Sequence, residues 1–259
     1  MIDRLSFSTA ALYPRESEES LRLIANAGFQ NAELMPQCMA DARAAFARSA
    51  RGIVKVGSIH YPLVFFSMFY NPHPGMVAET RILNREIVES AAIFGSEVIV
   101  IHAHAEGDPA RRDALEKPVL ENMLDLAAMA KKEGILVALE NNPKTAAGTA
   151  EKLLAYVKAL DEPSILPMVD VTESFEAGID PVDFLAKVKP CHLHLSDYRD
   201  NEKHVPAGEG RMNWKGIAEK IKAWDYRGLW TLEPMWKHYY DDPEPALRKA
   251  LAFGKTLVQ

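Results

Sequence analysis

The chain has only two cysteines in 259 residues, Cys38 and Cys191. Two thiols so far apart supply neither a disulfide framework nor a thiolate metal cluster, and both are expected to be reduced and buried. A basic excess is also missing: 30 Lys and Arg stand against 36 Asp and Glu, a formal charge of −6. That balance argues against a nucleic-acid partner or an anionic membrane surface, since both call for a cationic footprint. No apolar run approaches the ~20 residues of a membrane span. The opening MIDRLSFSTAALYPRESEES carries Asp3 and Arg4 where a signal peptide would need an apolar segment, so a cytoplasmic protein is expected. No Gly/Ser linker or shift in composition divides the chain, which predicts one domain over residues 1–259. A G-x-G-x-x-G turn is missing too; Tyr13-Pro14-Arg15 follows the first strand-like run instead.

What is present is an ordinary globular balance, 48% apolar and 25% charged residues. Short apolar or β-branched runs fall at 5–10, 31–35, 54–60, 97–103, 135–140, 166–171, 191–197 and 228–233. Between them lie segments of helical spacing, such as Leu21, Ile24, Ala25 and Gly28, or Ile217, Ile221 and Trp224. Gly28, Gly95, Gly134 and Gly228 each precede a run, where a helix-to-strand connection wants a residue tolerant of positive φ. The run starts are spaced by roughly 32 residues, close to the ~30 of a strand, crossover helix and return strand. Eight regular βα units without a dinucleotide fingerprint predict an α/β fold of the (β/α)8 TIM barrel type rather than an open doubly wound sheet.

In such a barrel the chemistry gathers at the carboxyl ends of the strands. Those ends carry Glu33, His60, His102 with His104, Glu140, Asp170, His194 with Asp197, and Glu233. Buried ionisable groups need each other or a cation. Glu140, Asp170, His194 and Glu233 end four consecutive strands, and strands ~4.8 Å apart on a curved wall let four side chains converge. Three carboxylates that close repel unless a divalent cation neutralises them. Oxygen-rich ligation with one imidazole suits Mn²⁺, Mg²⁺, Co²⁺ or Fe²⁺, or else Zn²⁺. The competing reading pairs the glutamates with basic residues across the mouth and makes His194 a satisfied core histidine.

The segments LVALENN, MVDVTES, HLHLSDYR, HVPAGEGRMNW and WTLEP resemble those of the xylose isomerase-like barrels, a superfamily of sugar isomerases and epimerases, dehydratases of the inosose and dehydroshikimate type, and endonuclease IV-type enzymes. The resemblance covers essentially the whole chain. It implies that Glu140, Asp170, His194 and Glu233 are the four metal ligands, and that Gly208-Glu209-Gly210 with Trp214 forms the loop after the seventh strand. In the ketose epimerase branch it further implies that Glu140 and Glu233 are the catalytic acid/base pair, with Arg199 presented to a substrate hydroxyl. One departure stands out: the family has a histidine three residues after the aspartate ligand, where this chain has Glu173. The exchange turns a donor into an acceptor; it would alter hydroxyl recognition or let Glu173 bind a second cation. The endonuclease IV-type branch implies extra ligands at His60, His102, Glu173, Glu202 and His204.

Two glutamates and a Lewis acid suffice to move a proton on and off a carbon beside a carbonyl through an enediolate-type intermediate. The expectation is therefore a divalent-metal-dependent isomerase or epimerase acting on a small carbohydrate or polyol. The alternatives are dehydration, which begins with the same abstraction, metal-dependent phosphodiester cleavage, and metal or sugar binding without catalysis. His60, His102, Glu173, Arg199, His204 and Trp236 are the candidate substrate-binding residues, and His60, His102, Glu173 and His204 could instead surround a second metal. His104 and Glu106 read as solvated, and Trp214 and Trp230 as packing. Phe65 to Tyr70 forms an apolar stretch that reads as a lid or a homo-oligomer contact.

Overall fold

In the computed structural model, which describes residues 2–105 and 112–259, the strands are β1 (Leu5–Ser8), β2 (Asn31–Leu34), β3 (Lys55–His60), β4 (Val98–His102), β5 (Leu136–Glu140), β6 (Ile165–Pro167), β7 (Val169–Asp170), β8 (Leu193–Leu195), β9 (Asp197–Arg199), β10 (Glu202–Val205) and β11 (Trp230–Leu232). Nine of them form one sheet, in the order β6-β5-β4-β3-β2-β1-β11-β8-β7, and every pairing in it is parallel. Its two ends, β6 and β7, are consecutive stretches of chain separated by Met168. The sixth run expected from sequence is therefore split, and the wall closes through its backbone. Pro167 has no N–H to give to a ladder, and the strand changes partner there: β6 bonds to β5 and β7 to β8. This is the TIM barrel, with helices around it.

Three helices end on left-handed glycines that lead into the next strand, Gly28 (φ 99°), Gly95 (φ 72°) and Gly134 (φ 72°). Gly228 does not share this role. Asp225 takes the left-handed conformation in its turn (φ 50°), and Gly228 is needed for space, because a Cβ there would lie 2.7 Å from the Cys191 carbonyl oxygen.

Alternation along the strands separates two environments. Leu5, Phe7, Ala32, Leu34, Ile99, Ile101, Val137, Leu139, Leu193, Leu195, Trp230 and Leu232 belong to the large core packed by the helices. The opposite parity holds a small apolar plug, Val98, Val100, Ala138 and Met168. One step further along these strands the parity turns polar at His102, Glu140 and Asp170, and on the neighbouring strand ends it carries His194 and Glu233. Along β1, β2, β3 and β11 and just before β8 the same parity is polar deeper in as well, at Ser6, Glu33, Ser58, Thr231 and His192, so the apolar plug fills only the β4 to β7 side of the interior.

Several expected runs end early: the run 5–10 stops at Ser8, where a turn of 3₁₀ helix begins. Val171 starts a short helix, Val171–Glu176, immediately after Asp170, and the run 191–197 leaves the barrel after Leu195. The chain then forms the antiparallel pair β9–β10 over the mouth.

Candidate metal centre

One ligand atom from each of Glu140, Asp170, His194 and Glu233 lies within 4.8 Å of all the others. His194 Nδ1 is 2.8 Å from Glu233 Oε2, 3.4 Å from Glu140 Oε1 and 4.0 Å from Asp170 Oδ2. His194 and Asp170 are fully buried, Glu140 nearly so. Yet His194 Nδ1, Asp170 Oδ2 and Glu140 Oε2 have no aligned hydrogen-bond partner. Glu140 Oε2 lies toward His102, while His194 Nδ1 and Asp170 Oδ2 face the cluster unbonded, and three carboxylates with one imidazole are the donor set of a divalent cation. The residues fit a metal ion.

The surrounding groups fix each ligand. Asp170 uses its other oxygen, Oδ1, to accept from Thr172 N (2.6 Å) and Glu173 N (2.9 Å), capping the helix that follows. The Asn141 side chain clasps the Asp170 peptide on both sides, accepting from its N–H at 2.8 Å and donating to its carbonyl at 3.1 Å. Ser8 Oγ donates to Glu233 Oε1 at 3.0 Å. Beneath the cluster Glu33 is wholly buried between His194 Nε2 (2.9 Å) and His192 Nε2 (2.8 Å), and also accepts from Ser58 Oγ at 2.7 Å. By taking the Nε2 proton, Glu33 leaves His194 Nδ1 to face the cluster, the arrangement that orients metal-bound histidines.

Charge and burial oppose each other here. Burial works against ionised Glu33 and Glu140, but the charge of His194 on Glu33, and of His102 and His194 on Glu140, hold both carboxyls well below the usual range. Burial likewise works against a charged His194, and Glu233, Glu33 and Glu140 together raise it well above the ordinary imidazole value. Asp170 goes the other way: burial foremost, with Glu140 and Glu173 adding to it against the pull of His204, pushes it up to about 7.

The expected substrate residues divide into two groups. His60 and His102 meet Glu140: His102 Nε2 is 2.9 Å and His60 Nε2 3.5 Å from Glu140 Oε2, so these three could hold a second cation. His60 gives its Nδ1–H to the Tyr61 carbonyl (2.8 Å). Glu173 and His204 form a separate group, with His204 Nε2 3.1 Å from Glu173 Oε1 and Lys203 Nζ 2.8 Å from the same oxygen. His204 Nδ1 bonds Ser196 Oγ at 2.9 Å. Despite burial, the bond to Glu173 and the charge of Asp170 push His204 up to about 9. The four residues are therefore not gathered around one second metal.

A cavity of about 280 Å³ opens above the cluster, lined by His60, His102, Glu140, Glu173, His204 and Glu233 on its floor and by Tyr13, Met35, Leu63 and Trp236 nearer the mouth. No lysine or arginine belongs to its lining among the described residues. Trp236 is 38% exposed and meets Tyr13 edge-on, where a ligand face could stack. Arg199 is not brought to this cavity: it points along the loop to the Glu209 carbonyl (3.2 Å). Glu202 also turns away, to Lys237 and His238, each 2.8 Å from Oε1.

Asp197 plays a structural part. Its carboxylate accepts from Tyr198 N, Gly208 N, Met212 N and Trp214 Nε1 at 2.7–3.0 Å, tying the Gly-Glu-Gly loop to the end of the barrel wall. His104, expected in solvent, is buried against Tyr156, while Glu106 lies outside the described residues. The apolar side chains of the Phe65–Tyr70 stretch fold inward, with Phe66 stacked on Tyr61 and Phe69 fully buried, while Ser67 within it and Leu63 and Val64 before it are exposed. Cys38, expected to be buried, is exposed. Glu33, His192, Ser8, Asn141 and Lys203 were absent from the expected site. Glu33 alone left a trace in the sequence, as a carboxylate at a strand end.

A family model described as xylose isomerase-like TIM barrel matches residues 21–257. The uncharacterized protein MJ1311 of Methanocaldococcus jannaschii is 28% identical over 162 residues, which is 58% of this chain and 54% of that one. Rv0498 of Mycobacterium tuberculosis is 24% identical over 98% of this chain and 97% of its own. Solved structures of the same fold include a D-tagatose 3-epimerase-like protein (TM-score 0.79, 20% identity, 98% of both chains) and the 3-keto-D-glucoside 4-epimerase YcjR of E. coli (0.78, 18%, 98% of this chain and 99% of that one). An AP endonuclease, family 2, from Brucella melitensis is also similar (0.76, 19%, 98% of both). At these identities the solved structures establish the fold.

Proposed function

The chain belongs to the xylose isomerase-like TIM barrel family, and from that premise we propose that it is a divalent-metal-dependent isomerase or epimerase of a small, uncharged sugar or polyol. The observation that carries this reading is the convergence of Glu140, Asp170, His194 and Glu233, one ligand atom of each within 4.8 Å of the others, with His194 Nδ1 and Asp170 Oδ2 buried and without an aligned hydrogen bond. A cation held there supplies Lewis acidity to a carbonyl oxygen. The protein supplies the proton transfers. In the order of the wall Glu140 on β5 and Glu233 beyond β11 flank Asp170 and His194, so a substrate carbon over the cluster lies between two carboxylates. One takes the proton from carbon, leaving an enediolate-type intermediate, and the other returns it. Ser8 fixes the carboxylate plane of Glu233, and the charges of His102 and His194 keep Glu140 ionised.

Cavity size and lining support the substrate class. About 280 Å³ is at the small end of ligand pockets, and among the described residues no lysine or arginine lines it. Names among the structural relatives, with D-tagatose and 3-keto-D-glucoside in them, agree with that class.

A second reading, metal-dependent phosphodiester cleavage, draws on the His60–His102–Glu140 group as a further cation site and on the AP endonuclease relative. Incubation with Mn²⁺ or Zn²⁺ separates the two: a ketose panel in D₂O against a duplex carrying an abasic site. Deuterium entering carbon supports the isomerase; strand scission with no exchange replaces it. Glu233→Gln should abolish exchange while the metal content stays substantial.

A further inference from the structure

Large apolar side chains are exposed around one half of the barrel mouth. Tyr13 after β1, Met39 after β2, Leu63 and Val64 after β3, and Trp236 and Tyr240 after β11 are six of the ten large apolar residues exposed among the described residues. Strands β3, β2, β1 and β11 are neighbours in the sheet, so the loops that carry the six follow one another along the rim. The loops beyond β7 and β8 instead carry Glu173, Glu176, Lys203 and His204. The apolar arc is continuous with the cavity, because Tyr13, Leu63 and Trp236 also line it.

The aromatic rings of the arc are exposed but held. Trp236 meets Tyr13 at 5.9 Å and Tyr240 at 5.8 Å between ring centres, edge-on in both cases. The loop that bears Trp236 is fastened on either side. Arg15 Nη1 and Nη2 donate to the Tyr239 and Tyr240 carbonyls at 3.3 and 2.6 Å. Opposite them Glu202 Oε1 takes His238 Nε2 and Lys237 Nζ, each at 2.8 Å, and Met235 N donates to the His204 carbonyl at 2.6 Å. Of the four tryptophans, Trp230 is buried, Trp214 and Trp224 give their indole N–H to Asp197 and to the Leu185 carbonyl, and only Trp236 is exposed. Apolar surface kept in water at a preset position is surface that a ligand covers at little ordering cost.

We propose that the substrate is a sugar joined through a glycosidic oxygen to a second ring, with the reacting ring over the cluster and the second ring against Trp236, Tyr13 and Leu63. The inference rests on the isomerase reading above and makes the small sugar of that reading one part of a longer ligand. The cavity, about 280 Å³, falls below the ~300–1,000 Å³ of pockets that enclose drug-sized ligands, so a two-ring ligand seated on its floor must continue over the rim. Trp236 follows Glu233 by three positions on one loop, which puts the arc directly outward of that carboxylate. A second pyranose, through its apolar face, and an aryl group offer an indole the same flat surface.

Calorimetric titration of full-length, Mn²⁺-loaded protein tests the proposal with defined ligands. D-fructose is compared with turanose, lactulose and isomaltulose, which add a pyranose at different hydroxyls, and methyl β-D-glucopyranoside with phenyl β-D-glucopyranoside, which adds an aryl ring. At least one two-ring ligand should bind about tenfold tighter than its one-ring counterpart. Trp236→Ala should bring that ratio close to one, and Trp236→Phe should restore part of it. A gain confined to the disaccharides assigns the arc to a second sugar, and one confined to the phenyl glucoside assigns it to an aryl group. Equal or weaker binding of every two-ring ligand, or a gain that survives Trp236→Ala, overturns the inference and leaves the isomerase reading standing. Sedimentation of the same proteins checks the other occupant: a dimer that Trp236→Ala dissociates gives the arc to a second copy of the chain and also overturns the inference. Failure of every sugar, one-ring or two-ring, to bind takes the isomerase reading and the inference down together.

Discussion

Replacing Glu33 by Gln keeps the size of the side chain and removes its charge. Glu33 accepts three hydrogen bonds, from His192, His194 and Ser58, and is wholly buried. A glutamine has one acceptor oxygen and an NH₂ group, so one imidazole would face a donor. That ring must lose its Nε2 proton and carry it on Nδ1, and in His194 this blocks the nitrogen that faces the cluster. Breaking one side of a buried ion pair costs about 3–5 kcal/mol. For a chain of this size, at ~2–4 °C per kcal/mol, the melting temperature should fall by roughly 6–20 °C.

The pH dependence follows from the directions of the two shifts. Glu33 is depressed in the folded protein, so its contribution is complete above the unfolded value of 4.5 and is lost as pH falls through the lower folded value. His194 is raised, so its contribution is complete below the unfolded value of 6.5 and is lost as pH rises through the higher folded value. In chelator-treated protein the difference between wild type and Glu33→Gln should thus be largest between pH 4.5 and 6.5 and decline on both sides. Urea denaturation across that range measures it. A difference below about 1 kcal/mol, or one that does not change with pH, would refute the argument that Glu33 and His194 form a buried charged pair.

Ser8→Ala removes the hydrogen bond that orients Glu233; a bond to a charged group is worth about 1.5–3 kcal/mol, so turnover should fall at least ~10-fold with bound metal unchanged. Metal loss in that variant would move Ser8 from orienting an acid/base group to building the cage. Because Asp170 is pushed up to about 7 and His194 is raised well above the ordinary imidazole value, both must lose a proton before a cation binds, and apparent metal affinity should drop by more than about tenfold per pH unit on acidification below 7. Calorimetry in buffers of different ionisation enthalpy would show the released protons; affinity independent of pH between 5 and 7 contradicts the assignment. Cys38 is exposed, whereas burial pushes the Cys191 thiol up to about 12, so a disulfide reagent at pH 8 should titrate one thiol in the native protein and two in guanidinium.

The architecture and the four central side chains were legible because both depend on local rules. Period two puts Val98, Val100 and His102 on one face whatever happens elsewhere, and a carboxylate on an apolar run stands out. What pairs across the barrel was not legible. Glu33 meets His192 and His194 from more than 150 positions away, and nothing in NAELM says which strand faces it. His192 read as one more histidine of HLHL, although its parity with His194 put it on the same inner face. Lys203 was hidden by the left-handed backbone at His204, which defeats the alternation that otherwise guided the reading. Arg199 followed the family resemblance in position along the chain, but its guanidinium bonds to the loop carbonyl of Glu209 and not to the cavity.

The carboxylate of Asp197 grips both ends of the excursion that carries Lys203 and His204, and those grips involve main-chain nitrogens and one indole N–H. The two ends of the excursion are thus held whatever side chains stand between them, while Glu202, Lys203 and His204 set how its middle lies against the mouth. Changes in that middle would alter the wall around Glu173 and His204 while leaving the strand ends that carry Glu140 and Glu233 in place.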